Sequence, residues 1–290
     1  MSKSDEIRDQ QRQTWDKFSA GWTKWDELVL KMLEPVGVEM IRSLELQGDE
    51  QHLDIAAGTG EPGLSIAALL PQGRVVLTDL SAGMLETAGA NAKAQGLKNV
   101  EVRECSVEAL PFEDASFDTI SCRFGFMFFP DIPAAVSELQ RVLRPSGRIS
   151  TAVWAEPPGN PWATIPMAAI SSEVELPAPA PDAPGLFRCA APGAIAGVFR
   201  DAGMHDVVES EVRTNLDASS AEEYWSFMTE VAAPVVAGLA SADDAARERI
   251  RAATIEQVRT FEVDGKPSIP LHARCIAATK SSAILTSDKT

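Results

Sequence analysis

The chain has 290 residues, with 26 Lys and Arg against 42 Asp and Glu, so its formal charge at pH 7 is −16. That balance argues against nucleic acid as a partner, because phosphates attract basic surfaces. A hydrophobic content of 45% is enough for a sizeable core and excludes a mainly disordered chain. The longest apolar run, 231–240, is too short to span a bilayer, and the charged N-terminus lacks the pattern of a signal peptide.

The cysteines are far apart and show no C-x-x-C spacing: Cys105, Cys122, Cys189 and Cys275. Such spacing is typical of reduced thiols in a cytoplasm and not of a disulfide framework or a zinc site. We therefore expect a cytoplasmic protein with no membrane anchor and no metal, and the sequence leaves its oligomeric state open.

Residues 1–45 have a helical pattern with several aromatic side chains, and we assign them to an N-terminal helical unit. Residues 46–155 alternate short apolar runs with helical patterns, which is typical of a parallel sheet covered on both faces. The strands of this second unit are predicted at 52–56, 74–78, 100–104, 117–122 and 148–154, and its helices at about 62–70, 81–95 and 132–143.

Residues 156–290 are expected to add further strands and helices, with a helical insertion at about 219–262. A Pro/Ala-rich connector, 176–185, has no pattern of a regular helix or central strand. The elements predicted beyond it are a helix at about 194–202, a strand at 207–216, a long helical stretch at 221–261 and a last strand at 269–279.

A glycine-rich segment, Leu53-Asp-Ile-Ala-Ala-Gly-Thr-Gly-Glu-Pro-Gly63, lies where the first predicted strand gives way to a helix. Its glycines match a dinucleotide fingerprint, in which backbone N–H groups hold a pyrophosphate. Asp79 ends the second strand, and a carboxylate there can accept hydrogen bonds from both hydroxyls of a ribose. This arrangement serves NAD and an adenosine-containing sulfonium equally well.

Asp54 separates the two ligands, because a carboxylate at the strand end repels a pyrophosphate and attracts an ammonium group. S-adenosylmethionine carries an ammonium group and no phosphate. The residues thus favour S-adenosylmethionine over NAD.

The string from Leu53 to Gly60 resembles motif I of class I S-adenosylmethionine-dependent methyltransferases. Further strings resemble the ubiquinone/menaquinone-biosynthesis type within that class: Thr78-Asp-Leu-Ser with Met84-Leu85, Glu108-Ala-Leu-Pro-Phe112 with Ser116-Phe-Asp118, and Arg141-Val-Leu-Arg-Pro-Ser-Gly-Arg148. The resemblance implies a doubly wound α/β fold, Rossmann-like and mostly parallel, with seven strands in the order 3-2-1-4-5-7-6 and the last strand antiparallel.

The resemblance also implies roles at the cofactor, S-adenosyl-L-methionine. Gly58 and Gly60 would shape the loop, and Asp79 would bind the ribose. The Ala56 carbonyl and the Asp54 carboxylate would serve the amino end of the methionine moiety, directly or through water.

At the adenine, the resemblance implies packing by Leu80 and Met84. Many relatives have an acid where this chain has Ser106, so adenine recognition would rest on the Val107 backbone and on packing. Arg123, which follows the fourth strand, would lie beside the methionine moiety.

The implied reaction is methyl transfer to an O, N, S or C nucleophile of a small-molecule acceptor. Its candidate contacts are Trp22, Phe124, Trp225 and Met228. Trp22 lies in an order of residues similar to a lid helix of relatives, so residues 1–45 are expected to act as a lid. Catalytic residues stay unknown, because each histidine fits an ordinary structural role. The alternatives are an NAD-dependent oxidoreductase and a non-catalytic cofactor-binding module.

Overall fold

The computed structural model describes residues 3–176, 180 and 183–282. The helices are α1 (Lys3–Lys24), α2 (Asp26–Leu44), α3 (Gly63–Leu69), α4 (Ala82–Ala94), α5 (Ile132–Val142), α6 (Pro161–Glu173), α7 (Ala194–Asp201), α8 (Ala221–Val231), α9 (Ala233–Ala240) and α10 (Asp244–Arg259). The strands are β1 (Gln51–Ile55), β2 (Arg74–Asp79), β3 (Val100–Glu104), β4 (Phe117–Arg123), β5 (Leu143–Trp154), β6 (His205–Asp217), β7 (Glu262–Val263) and β8 (Lys266–Thr279).

The strands form one sheet in the order β3-β2-β1-β4-β5-β8-β6, with the short β7 paired to β8. The first five strands are mutually parallel, and β8 runs antiparallel to both β5 and β6. This is the order that the sequence resemblance implies, with β8 in the place of the seventh strand. The doubly wound α/β prediction is confirmed.

The centre of the sheet is the most deeply buried part of the fold. Leu53 of β1, Leu77 of β2 and Ile120 of β4 have no exposed surface. Because β1 lies between β2 and β4, the strand order reverses beside it, and the chain leaves β1 and β4 toward opposite sides. Open sheets of this kind bind ligands at the carboxyl ends of the strands flanking that point.

Two helical regions differ from the sequence prediction. Helix α6 was not predicted, because prolines occupy its first position and its interior at Pro161 and Pro166. The stretch expected to be one long helix is three, since the chain turns at Ala232, just before Pro234, and again between α9 and α10. Of the predicted connector 176–185, residues 177–179 and 181–182 lie outside the described residues.

Within the ranges that the structure describes, no helix combines the length and the apolar character that crossing a membrane requires.

Candidate functional site

The glycine loop leaves β1 and curls back toward the end of β2. The backbone N–H of Ala57 donates to the Thr78 carbonyl at 2.9 Å. Gly58 and Gly60 have φ angles of 56° and 119°, in the left-handed range that favours glycine. A Cβ atom on Gly58 would meet nothing within 4 Å. The loop therefore has its required backbone shape and faces open space at Gly58.

Asp54 lies beneath this loop with no exposed surface. One carboxylate oxygen accepts the Ser121 hydroxyl, and the other accepts the backbone N–H of Gly63 at 3.1 Å. Burial raises the pKa of Asp54 to about 7, against the effect of these hydrogen bonds. The side chain thus fixes the start of α3 from inside the protein, and both of its oxygens already have protein partners.

A second buried polar side chain extends this network. The two ring nitrogens of His52 lie 2.8 Å from the hydroxyl oxygens of Thr119 and Ser121. Burial lowers the pKa of His52 to about 3, so its ring is neutral at physiological pH. His52, Ser121 and Asp54 therefore form a hydrogen-bonded line from the middle of the sheet to the glycine loop.

Asp79 connects the end of β2 to the same loop. Its two carboxylate oxygens accept the backbone N–H groups of Gly58, at 3.0 Å, and Ser81, at 2.9 Å. Burial raises the pKa of Asp79, while these backbone hydrogen bonds oppose the rise. Each carboxylate oxygen has a second lone pair, so Asp79 keeps capacity for ligand hydroxyls.

The residues predicted at the adenine follow on both sides of Asp79. Met84 of α4 and Val107 are buried, and Leu80 is half-buried. The backbone N–H of Cys105 donates to the Asp79 carbonyl at 3.1 Å, which brings the turn containing Ser106 beside β2. The predicted cofactor residues at the ends of β1, β2 and β3 thus meet at one edge of the sheet.

Arg123 and Phe124 occupy the end of β4. The Phe124 ring stacks on Trp154 with centroids 4.1 Å apart and an interplanar angle of 11°. Burial lowers the pKa of Arg123, and the negative charges of Glu61, Asp54 and Asp26 oppose that effect. Among the described residues the Arg123 guanidinium has no hydrogen-bond partner and no ion pair within 4.0 Å.

Helix α1 lies across this edge and has no buried residue of its own. On one side the Asp16 carboxylate accepts the Ser81 hydroxyl at 2.6 Å, and the Thr23 and Thr87 hydroxyls are 2.7 Å apart. Near the end of β4, the Trp15 ring meets Phe128 edge-on at 5.2 Å. Helix α1, called the cover below, therefore contacts elements on both sides of this edge.

The C-terminal end of the cover meets α8, which carries Trp225 and Met228. Glu230 of α8 accepts the Lys24 ammonium at 2.7 Å and the Trp25 indole N–H at 2.9 Å. Met228 is buried in the core, and Trp225 is half-buried against it. The structure thus places both residues on the helix that meets the cover, and their contact with an acceptor stays a prediction.

The junction between α1 and α2 joins Trp22, a predicted acceptor contact, to polar residues that the sequence reasoning missed. The Trp22 indole nitrogen and one carboxylate oxygen of Asp26 are buried without a hydrogen-bond partner. Asn91 of α4 donates to the other Asp26 oxygen at 2.9 Å and to the Thr59 carbonyl of the glycine loop at 3.0 Å. No local motif marks Asp26 or Asn91, because their proximity arises only when α1, α2 and α4 pack together.

Comparison with known proteins identifies the glycine-loop region. Residues 53–147 match a family described as a methyltransferase domain. An uncharacterized methyltransferase, YcgJ of Bacillus subtilis, is 36% identical over 123 residues, which are 42% of this chain and 47% of that protein. The ubiquinone/menaquinone biosynthesis C-methyltransferase UbiE of Hahella chejuensis is 41% identical over 107 residues, or 36% of this chain and 43% of that protein. The match spans about half the length of such relatives.

The fold is similar over a greater length. The crystal structure of YcgJ covers 86% of this chain and 99% of its own, with a TM-score of 0.56 and 22% sequence identity. A phosphoethanolamine N-methyltransferase of Haemonchus contortus, solved with S-adenosylhomocysteine, covers 85% of this chain and 52% of its own, with a TM-score of 0.52 and 17% identity. Residues 53–147 therefore match a methyltransferase domain, and the chain has a fold similar to those of YcgJ and the phosphoethanolamine N-methyltransferase.

Proposed function

We propose that this protein transfers the methyl group of S-adenosylmethionine to an O, N, S or C nucleophile of a small-molecule acceptor. The observation that carries the proposal is the Asp79 carboxylate, which is hydrogen-bonded to the backbone of Gly58 at the carboxyl end of β2. A ribose-binding acid and a glycine loop are joined there, inside the segment that matches the methyltransferase domain.

In this proposal the cofactor lies along the edge formed by β1, β2 and β3. Asp79 binds the ribose hydroxyls, and the loop at Gly58 and Gly60 allows the close approach of the backbone. Leu80, Met84, Ser106 and Val107 surround the adenine. Their positions on both sides of Asp79 support this assignment, as does the open space at Gly58.

The methionine end of the cofactor then lies near Ala56 and Arg123. Asp54 supports this end by holding the N-terminus of α3 through the Gly63 N–H, because its own oxygens face the protein interior. The acceptor side comprises Trp22, Phe124, Trp225 and Met228. Support for this side comes from the stacked Phe124 at the end of β4 and from the junction of α1 with α8.

S-adenosylmethionine supplies an already activated methyl group, so the protein mainly aligns the acceptor and excludes water. The three histidines fit no base role: His52 is buried with hydroxyl partners, and His205 and His272 lie on β6 and β8, beyond β5. An acceptor that is already nucleophilic near pH 7 needs no side chain to remove a proton before transfer. We also infer a reducing cytoplasmic location, supported by four free cysteines.

The test is calorimetry of the full chain with S-adenosylhomocysteine and with NAD, followed by an acceptor screen with labelled S-adenosylmethionine. We expect binding of S-adenosylhomocysteine and no comparable binding of NAD. Equal or tighter NAD binding would overturn the proposal in favour of an oxidoreductase. Cofactor binding without label transfer to any acceptor class would favour the non-catalytic module.

A further inference from the structure

Two half-buried charged side chains beside the glycine loop, Arg123 and Asp26, are incompletely paired. The Arg123 guanidinium has no hydrogen-bond partner among the described residues, and one carboxylate oxygen of Asp26 is buried without one. Unpaired buried charges are costly, because neither water nor a counter-ion compensates them. A ligand that carries both charges would relieve both groups at once.

Their placement indicates which part of the cleft such a ligand occupies. Arg123 ends β4, next to β1 in the sheet, and the negative charges of Glu61, Asp54 and Asp26 act on it. Asn91 joins Asp26 to the Thr59 carbonyl of the glycine loop. Arg123 therefore lies on the β4 side of β1, and Asp26 lies beside the glycine loop through Asn91 of α4.

Asp54 does not supply the missing anionic contact in this arrangement. It has no exposed surface, and its two oxygens accept Ser121 and Gly63. Burial also raises its pKa to about 7, so a sizeable share of the carboxyl is protonated at neutral pH. Asp26 is the carboxylate at this edge that retains a buried oxygen without a partner.

We propose that Asp26 and Arg123 together bind the amino-acid end of the cofactor. Asp26 accepts hydrogen bonds from the ammonium group, and Arg123 donates to the carboxylate. The inference rests on the proposed function and assigns to it a residue outside the methyltransferase-domain match. Charge-assisted hydrogen bonds of both signs make this pair selective for a zwitterion.

The pair also connects the cover to the cofactor. The backbone N–H of Trp25 donates to Gly21, and that of Val29 donates to Trp25, so α1 and α2 continue each other almost without interruption. Trp22, with its unpaired indole N–H, lies one helical turn before Asp26 on the same face. Binding at Asp26 therefore holds the start of α2 and, through it, the end of α1.

The experiment compares two ligands that differ only in the amino-acid end. S-adenosylhomocysteine has this end, whereas 5′-methylthioadenosine lacks it and keeps the adenosine and the thioether. Calorimetry is performed on the parent chain, on Asp26→Asn, on Arg123→Gln and on Glu27→Gln. Glu27 is the matched control, since it is the exposed acidic neighbour of Asp26 in the first turn of α2.

We expect Asp26→Asn and Arg123→Gln each to lower the affinity for S-adenosylhomocysteine by about tenfold or more, which is the effect of losing a charged hydrogen bond. Their affinity for 5′-methylthioadenosine should change less than about twofold, which is as small as the effect of an ordinary surface substitution. Glu27→Gln should bind both ligands like the parent.

Unchanged binding of S-adenosylhomocysteine by Asp26→Asn would overturn the inference while leaving the proposed function intact. Equal losses for both ligands would also overturn it, because Asp26 would then act on the shape of the whole site. A parent chain that binds neither ligand would refute the proposed function itself.

Discussion

The centre of the sheet and the helix that covers its edge are stabilised in opposite ways. Leu53 and Ile120, on neighbouring strands, have no exposed surface and belong to a continuous apolar core. Helix α1 has 22 residues and none of them is buried. Its attachments are ring contacts such as Trp15 to Phe128, hydroxyl and carboxylate contacts such as Asp16 to Ser81, and ion pairs such as Lys24 to Glu230.

This difference separates the part that sets the geometry from the part that can move. The free energy gained by burying apolar surface is roughly proportional to the area buried, and close packing favours a single arrangement of the side chains. Surface ion pairs are worth about 0–1 kcal/mol each and exchange readily with water. The loop and Asp79 are thus fixed on a rigid base, while the cover is held by contacts that can be broken one at a time.

The largest expected effect is on stability at the sheet centre. Leu53→Ala should lower the free energy of unfolding by about 2–5 kcal/mol, because it leaves a cavity that the packed neighbouring residues cannot move in to fill. Trp15→Ala, on the half-buried face of α1, should cost clearly less despite removing a larger side chain. Urea denaturation of both variants measures the difference, and equal losses would show that α1 is part of the core.

A second effect follows from the buried carboxyl of Asp54. Its pKa is raised to about 7 in the folded chain, so folded Asp54 keeps a proton that the unfolded chain loses near pH 4. Unfolding therefore releases a proton between these values, and the stability of the parent falls as pH rises through this window. Asp54→Asn lacks this contribution.

The stability of the parent minus that of Asp54→Asn should accordingly decrease from pH 4 to pH 8. Urea denaturation across this range gives the slope. Parallel pH curves for the two proteins would mean that Asp54 titrates normally and is not desolvated as the structure shows.

Asp79 lies on the same rigid sheet. Asp79→Ala should weaken the binding of S-adenosylhomocysteine by about 1.5–3 kcal/mol through the loss of charged hydrogen bonds. Calorimetry gives the affinity, and thermal unfolding in the absence of ligand shows that the domain remains folded. Ser106→Asp introduces the acid that the family resemblance implies at this position and should strengthen binding or leave it unchanged. If Asp79→Ala binds S-adenosylhomocysteine with the parent's affinity, Asp79 does not bind the ribose.

The smallest free-energy change is expected at the cover. Limited proteolysis of the free protein should cut within the first ~30 residues, since weakly held terminal segments open locally. S-adenosylhomocysteine should protect that segment. Equal protection with and without the ligand would identify α1 as static packing.

Gly21→Ala sharpens this experiment. A Cβ atom at Gly21 would lie 2.2 Å from the Glu230 carbonyl oxygen, so the substitution forces α1 away from α8. Alanine is the better helix former by about 0.8–1.0 kcal/mol, so faster cleavage of this variant would report lost docking and not a weaker helix.

The sequence predicted the sheet well because its signals are local. The buried parallel strands contain short apolar runs, such as Val75, Val76 and Leu77 of β2, and the turn into α4 is marked by Ser81, whose hydroxyl accepts the Met84 N–H. Helix α6 escaped prediction because Pro166 lies inside it, and its burial against the core overrides the local preference.

The site was predictable in part for the same reason. Gly58 and Asp79 belong to strings that are recognisable on their own, and the structure places them in contact. The burial of Asp54 depends on its pairing with Ser121 across β1 and β4, a register that no local pattern specifies. The unpaired atoms of Trp22 and Asp26 arise from packing between distant helices, so they had no signal in the sequence.

Helix α1 touches α4 through Ser81 and Thr87 and touches α8 through Glu230, so one element closes both walls of the cleft. If α1 opens for the proposed reaction, two substrates and two products pass the same element. For the proposed methyl transfer, we expect the opening of α1 and not the chemical step to limit the turnover number. Turnover should then slow in viscous solvent and show little isotope effect from a deuterated methyl group.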